Sequence, residues 1–134
     1  IPSLIINTWL KFMTKLIQEQ KNKMEYLFSY GTLRQQNVQL KNFGRLLDGT
    51  EDTLEKFTLK EVEITDEVVL RVSDKKFHPI LSYTGNEKDK VIGTVFKITS
   101  DELIKADGYE VDDYKRVEVT LGSGIKSWAY VEKN

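Results

Sequence analysis

The first stretch of the chain carries a helical period. Leu4, Ile5, Ile6, Trp9, Leu10, Phe12, Met13, Leu16 and Ile17 recur three and four residues apart, with Lys11, Thr14, Lys15, Gln18 and Glu19 between them. This spacing predicts an amphipathic helix with a broad apolar face within residues 1–23. Pro2 and Ser3 suit its start, and the polar run from Gln18 to Lys23 reads as a linker. From Glu25 the period changes to two. Tyr26 and Phe28 fall on one face, Leu27 and Ser29 on the other, which predicts a strand whose aromatics suit a pleated, half-buried surface. The strand runs into Tyr30-Gly31-Thr32-Leu33. Gly31 tolerates positive φ and lets another group approach the backbone closely. N–H groups left without ladder partners in such a turn can face an anion or a polarised carbonyl. Taken alone, the tetrapeptide reads better as a plain strand end.

Further along, residues 37–43 have helical spacing through Val38, Leu40 and Phe43, closed by Gly44. Arg45 to Leu47 begins an extended piece, and Asp48-Gly49 signals a turn. Residues 53–64 predict a strand or a bent strand pair, and residues 67–73 a strand after a turn at Thr65-Asp66. In residues 76–83, Pro79 cannot donate to a ladder and marks an edge or a bulge. His78 beside it reads as structural, not catalytic. Residues 91–98 predict a strand in which Gly93 marks a close backbone approach or a bulge. Ser100 is placed to cap a short helix with Asp101 and Glu102 in its first turn. Residues 114–121 and 125–132 predict a hairpin around Gly122-Ser123-Gly124. The pattern is strand-rich α+β without an internal repeat.

The 134 residues suit one domain, and 40% hydrophobic residues with 10% aromatic ones suffice for a core. A net charge of −1 reads against nucleic-acid binding. No cysteine is present and there is one histidine, His78. Disulfides and thiolate or His-built metal sites are therefore not expected, and a reducing cytoplasm is. No apolar run is long enough to span a membrane, and the opening helix lacks the features of a secretory signal. Ile1 is not an initiator methionine, and Met24 stands just before the first strand, so a processed or partial chain, or a shorter product from Met24, is expected.

Three short motifs then fall in a particular order. The first is Glu25–Arg34, EYLFSYGTLR. The second is Gly93-Thr94-Val95-Phe96, then Ala106-Asp107-Gly108-Tyr109-Glu110, then Tyr114-Lys115-Arg116-Val117. The third is Trp128-Ala129-Tyr130-Val131. Together they resemble the gamma-glutamylcyclotransferase-like (AIG2-like) family, over residues 24–134. Ala106 stands where that family usually has leucine, and Val111 where it usually has glycine. The resemblance implies a small mixed β-barrel with short peripheral helices, to which residues 1–23 add an amphipathic extension. It implies an enzyme that cyclises a gamma-glutamyl amine or peptide to 5-oxoproline and releases the amine, with no cofactor. It assigns Glu110 as general acid/base and Tyr30, Gly31, Thr32 and Leu33 to substrate binding. Tyr114 and Tyr130 are pocket walls or donors, with core packing an equal reading for Tyr130. For Arg116 a structural ion pair is the favoured role. Independently of the family, a carboxylate among Tyr109 and Tyr114 loses hydration, which raises its pKa towards the range useful for proton transfer. A second reading, of another class, is a catalytically silent small-molecule-binding or interaction module. The apolar helix fits that reading, either packed on its own domain or docked on a partner, including a second copy in a homodimer.

Overall fold

The computed structural model describes residues 2–63, 67, 71, 77–110 and 113–133. Helix α1 spans Pro2–Lys21 and strand β1 Met24–Ser29; a 3-10 turn, Thr32–Arg34, and α2, Gln36–Phe43, follow. Strands β2 (Gly49–Glu55), β3 (Phe57–Glu63), β4 (Phe77–Tyr83) and β5 (Lys90–Thr99) precede α3 (Ser100–Tyr109), and the chain closes with β6 (Tyr114–Thr120) and β7 (Lys126–Glu132). The strands form a 7-stranded sheet in the order β2-β5-β1-β7-β4-β3, with β6 on the other side of β7.

The sheet curls into a half-barrel because its two end strands are consecutive in sequence. β2 pairs with β5 and β3 with β4, while β2 passes to β3 through Lys56 alone. Lys56 has a left-handed φ of 71°, costly for a side-chain-bearing residue. Three backbone bonds hold it there: its N–H donates to the Asp89 carbonyl at 2.8 Å, and its carbonyl accepts from Thr84 at 2.8 Å and Gly85 at 3.2 Å. The bent strand pair expected over residues 53–64 is thus realised, and the barrel meets at a bend instead of a ladder among the described residues.

Alternation along the strands separates two cores. Phe28, Leu54, Leu81, Val91, Val95, Ala129 and Val131 fill the concave side. Leu27, Val38, Phe96, Ile98, Leu103, Ala106 and Tyr130 pack between the sheet and helices α2 and α3. The second half of β1, Leu27 to Ser29, is therefore buried on both faces, while Met24 and Tyr26 stay exposed. At Gly93 the expected close approach is present: a Cβ there would stand 2.6 Å from the Ser29 carbonyl oxygen and 2.7 Å from the Phe28 ring.

Several local expectations are corrected. Gly49 opens β2 instead of closing a turn, and residues 45–47 join no strand. The N-cap of α3 is Thr99, not Ser100. Its side chain accepts from the Glu102 N–H and the Glu102 side chain returns a bond to Thr99, a capping box completed one residue earlier than expected. Ser100 instead ties α1's linker down, donating from N–H (2.8 Å) and Oγ (3.2 Å) to the Lys23 carbonyl. The strand expected over residues 67–73 lies outside the described residues, apart from Glu67 and Arg71, whose backbone is helical. α1 forms, but it runs on through Lys21, so most of the polar run read as a linker is helical; its apolar face is largely uncovered within one chain, with Trp9 59% and Phe12 57% exposed. No helix among the described residues is long and apolar enough to cross a membrane.

Candidate active site

The site begins at a gap in the sheet. On one side β7 is flanked by β6 along its length. On its other side β1 registers with Trp128 and Ala129, and β4 only with Val131. Tyr30, just past the end of β1, plugs the break between those strands. Its phenol donates to the Tyr130 carbonyl. Pro79 lies in β4 beside this gap, where a missing N–H costs nothing, and its carbonyl accepts the Tyr114 hydroxyl at 2.8 Å.

The loop after Tyr30 is held from outside. Arg34 donates from Nη2 to the Tyr30 carbonyl at 3.0 Å and from Nε to the Gly31 carbonyl at 3.4 Å. Among the described residues the N–H groups of Gly31, Thr32 and Leu33 have no acceptor. Gly31 has φ −133°, so positive φ is not what calls for glycine here. A Cβ would meet Pro79 Cγ at 3.5 Å, an ordinary contact. What glycine provides is open space beside the cavity.

α3 delivers the carboxylate. Its buried positions, Leu103 and Ala106, seat the helix on the sheet, and Glu110 is its C-cap. The Thr32 hydroxyl and the Tyr109 hydroxyl lie 3.0 Å apart and join the loop to this helix end. Glu110 keeps some residual surface as a residue, but its carboxyl group is closely packed. The packing decides its titration. Burial first, and the neighbouring Asp107 charge second, push the carboxyl from 4.5 up to about 8. Among the described residues nothing hydrogen-bonds to that carboxyl. Burial also raises the phenols of Tyr30, Tyr114 and Tyr130, which therefore stay protonated and remain donors.

Asp107 sits one turn before Glu110 and is clamped. Tyr130 donates to its Oδ1 at 2.7 Å, while Arg116 contacts Oδ1 through Nε at 2.8 Å and Oδ2 through Nη2 at 3.0 Å. The Arg116 guanidinium lies 4.5 Å over the Trp128 ring, whose Nε1 donates to Glu25 at 3.1 Å. The structural ion pair expected for Arg116 is present.

Two cavities meet at Glu110. The inner one, of about 20 Å³, is lined by Phe28, Ser29, Tyr30, Gly31, Thr32, Leu33, Pro79, Glu110, Tyr114 and Tyr130. It has room for little more than one small polar group. The outer groove, of about 360 Å³, is lined by Asp107, Glu110, Tyr114, Arg116, Trp128, Tyr130 and Lys133. All the residues singled out from the sequence, Tyr30, Gly31, Thr32, Leu33, Glu110, Tyr114 and Tyr130, thus come together around one cavity. Both readings of Tyr130 hold: it is 5% exposed, packs in the core and lines both cavities. Sequence reasoning did not single out Ser29, Asp107 and Lys133 as cavity residues. Ser29 and Asp107 stand within the motifs, and Lys133 lies beyond them. Among the described residues no cluster of His, Asp or Glu is arranged to hold a metal ion.

Comparison with known proteins agrees with this architecture. Residues 27–134 match the family described as Gamma-glutamyl cyclotransferase, AIG2-like. No curated protein matches the chain by sequence. Among solved structures, a human uncharacterised protein superposes with a TM-score of 0.65 at 18% identity, covering 84% of this chain and 68% of that one. A structure named gamma-glutamyl cyclotransferase gives 0.62 at 20% identity, with coverages of 84% and 68%. An Arabidopsis thaliana protein gives 0.63 at 21% identity over 82% of this chain, which spans 62% of that protein's length.

Proposed function

The chain belongs to the gamma-glutamyl cyclotransferase, AIG2-like family, and from that premise we propose that it cyclises a gamma-glutamyl amine or peptide to 5-oxoproline, with Glu110 as the proton carrier. The observation that carries this reading is a closely packed carboxyl group, without a hydrogen-bond partner among the described residues, at the junction of two cavities. Before substrate binds, Glu110 is largely protonated at neutral pH. A substrate α-ammonium beside it favours the ionised form. Glu110 then accepts one proton from that ammonium, and the freed amine attacks the γ-carbonyl carbon. Nucleophile and electrophile share one molecule, so much of the acceleration comes from holding the folded conformer. Glu110 returns the proton to the leaving nitrogen as the old C–N bond breaks. It then takes the surplus proton from the new ring nitrogen, leaving a lactam N–H, the free amine and a protonated Glu110. Glu110 later yields that proton to solvent.

In this scheme the N–H groups of Gly31, Thr32 and Leu33 receive a substrate oxygen in the inner cavity, either the glutamyl carboxylate or the developing oxyanion. Tyr114 and Tyr130 act as walls and neutral donors. The test is 5-oxoproline release from a panel of gamma-glutamyl compounds by the wild type and by Glu110→Gln. Release by the wild type and its loss in a folded variant support the reading; release by neither favours a silent binding or interaction module. The uncovered apolar face of α1 is the observation behind that second reading, and a homodimer through α1 is its simplest form.

A further inference from the structure

We propose that Arg34 is a positioning residue for the inner cavity. By holding the Tyr30 and Gly31 carbonyls from outside, it aims the Gly31 and Thr32 N–H groups at the substrate oxygen. This rests on the cyclisation reading for the identity of that oxygen.

The four carbonyls from Tyr30 to Leu33 are all engaged. Arg34 Nη2 donates to the Tyr30 carbonyl at 3.0 Å. Arg34 Nε, at 3.4 Å, and the Arg34 backbone N–H, at 3.2 Å, both donate to the Gly31 carbonyl. The Thr32 carbonyl accepts from the Gln35 N–H at 2.9 Å, and the Leu33 carbonyl from Gln39 Nε2 at 2.9 Å. A planar trans peptide points its C=O and its N–H in opposite directions. A carbonyl held on the outside therefore turns the next residue's N–H to the other side. Gly31, Thr32 and Leu33 line the inner cavity on that side.

The supports are unequal. The Leu33 carbonyl is held by Gln39, which is buried and also accepts the Leu47 N–H at 2.9 Å through Oε1. The Tyr30 carbonyl is held by the Arg34 side chain alone among the described residues. Gly31 has no Cβ to resist rotation of that peptide, so without Arg34 its N–H loses a fixed direction. The guanidinium also sets a positive charge at the carbonyl ends of two peptide dipoles. That strengthens their N–H ends as donors to an anionic oxygen. Arg34 itself is exposed, so replacing it opens no hole in the core.

The probe is gamma-glutamyl-alanine, added to the full chain in the Glu110→Gln background so that it is not consumed. NMR follows the Gly31 amide resonance and calorimetry the affinity. With Arg34 present, the Gly31 amide proton is expected to move to lower field on binding. Arg34→Met should remove most of that response and weaken binding about tenfold, with the melting temperature unchanged. Arg34→Lys keeps the charge but cannot bridge two carbonyls as the guanidinium does, and should recover both readouts only in part. A Gly31 amide that does not respond with Arg34 present overturns the assignment. So does a response that survives in Arg34→Met, or a loss that tracks a lowered melting temperature and is not recovered by lysine. Release of 5-oxoproline is read separately, with Glu110 in place. An Arg34-dependent amide response without release by the wild type removes the cyclisation reading and leaves Arg34 in its role; release by Arg34→Met at the wild-type kcat/KM does the reverse.

Discussion

The two cavities that share Glu110 are built from different materials. The inner one is made of backbone and apolar or neutral side chains, is about 20 Å³ and is braced by bonds between distant parts of the chain. The outer groove is made of charged and aromatic side chains, is about 360 Å³ and opens to solvent. A narrow space walled by backbone admits one chemical group in one orientation. A wide space walled by long side chains tolerates variety and discriminates by charge. The difference suits a reaction in which one half of the substrate is constant and the other varies.

The sharpest way to break this comparison is at the shared residue. Glu110→Gln is expected to fold and to bind, and to lose roughly 10²–10⁴-fold in turnover, because the amide cannot exchange a proton. A folded variant with wild-type rates of 5-oxoproline release would remove Glu110 from the chemistry. Next comes the inner wall. Gly31→Val should reduce affinity for gamma-glutamyl compounds by at least about tenfold, since its methyl groups compete for the inner space. Gly31→Ala, whose Cβ meets only an ordinary contact with Pro79 at 3.5 Å, should be much milder. Equal effects in calorimetric titration would show that backbone geometry, not space, is what matters.

The same pair of cavities predicts a pH signature. The Glu110 carboxyl titrates near 8 in the folded chain and near 4.5 ordinarily, so the folded chain retains a proton that the unfolded chain releases. Stability should therefore fall as pH rises through that interval and level off above it, by a few kcal/mol at most. Melting curves recorded across this range should show the decline in the wild type and a weaker one in Glu110→Gln; identical pH dependence would place the carboxyl in contact with water. Asp107 reinforces the shift from the groove side. Asp107→Asn keeps an acceptor for Tyr130 but removes the charge, so the rise of kcat/KM with pH should move to lower pH, an effect smaller than loss of Glu110 itself. A profile that stays in place would confine Asp107 to holding Arg116.

The smallest effect is expected far from both cavities. Deleting residues 1–23 should leave a cooperative unfolding transition and shift stability by no more than about 1–2 kcal/mol, because α1's large apolar residues are mostly exposed. Loss of the cooperative transition on heating would show that α1 completes the core.

Much of this molecule was legible in the chain. The period of three to four in residues 4–17 reports which side of a helix is apolar, and the strand expected from Glu25 formed too, although its inner end is buried on both faces. The order of the three motifs pointed to the family and to residues that the fold brings around one cavity. Glycines were read less well. Gly93 does mark a close approach, whereas Gly31 carries no positive φ. A sequence shows that a side chain is missing, but not whether the space or the torsion required it.

What the sequence determined by itself was therefore local: most of the elements, the apolar face of α1 and the family to which their order belongs. Tertiary structure decided everything that depends on partners far apart in the chain. Tyr30 meets Tyr130 one hundred residues on, Thr32 meets Tyr109 across 77, and Tyr114 meets Pro79 across 35. The break between β1 and β4 alongside β7, the packing that raises Glu110 and the clamp of Tyr130 and Arg116 on Asp107 all arise from such contacts. Periodicity records the environment of a residue relative to its neighbours in sequence, and these features are set by neighbours in space.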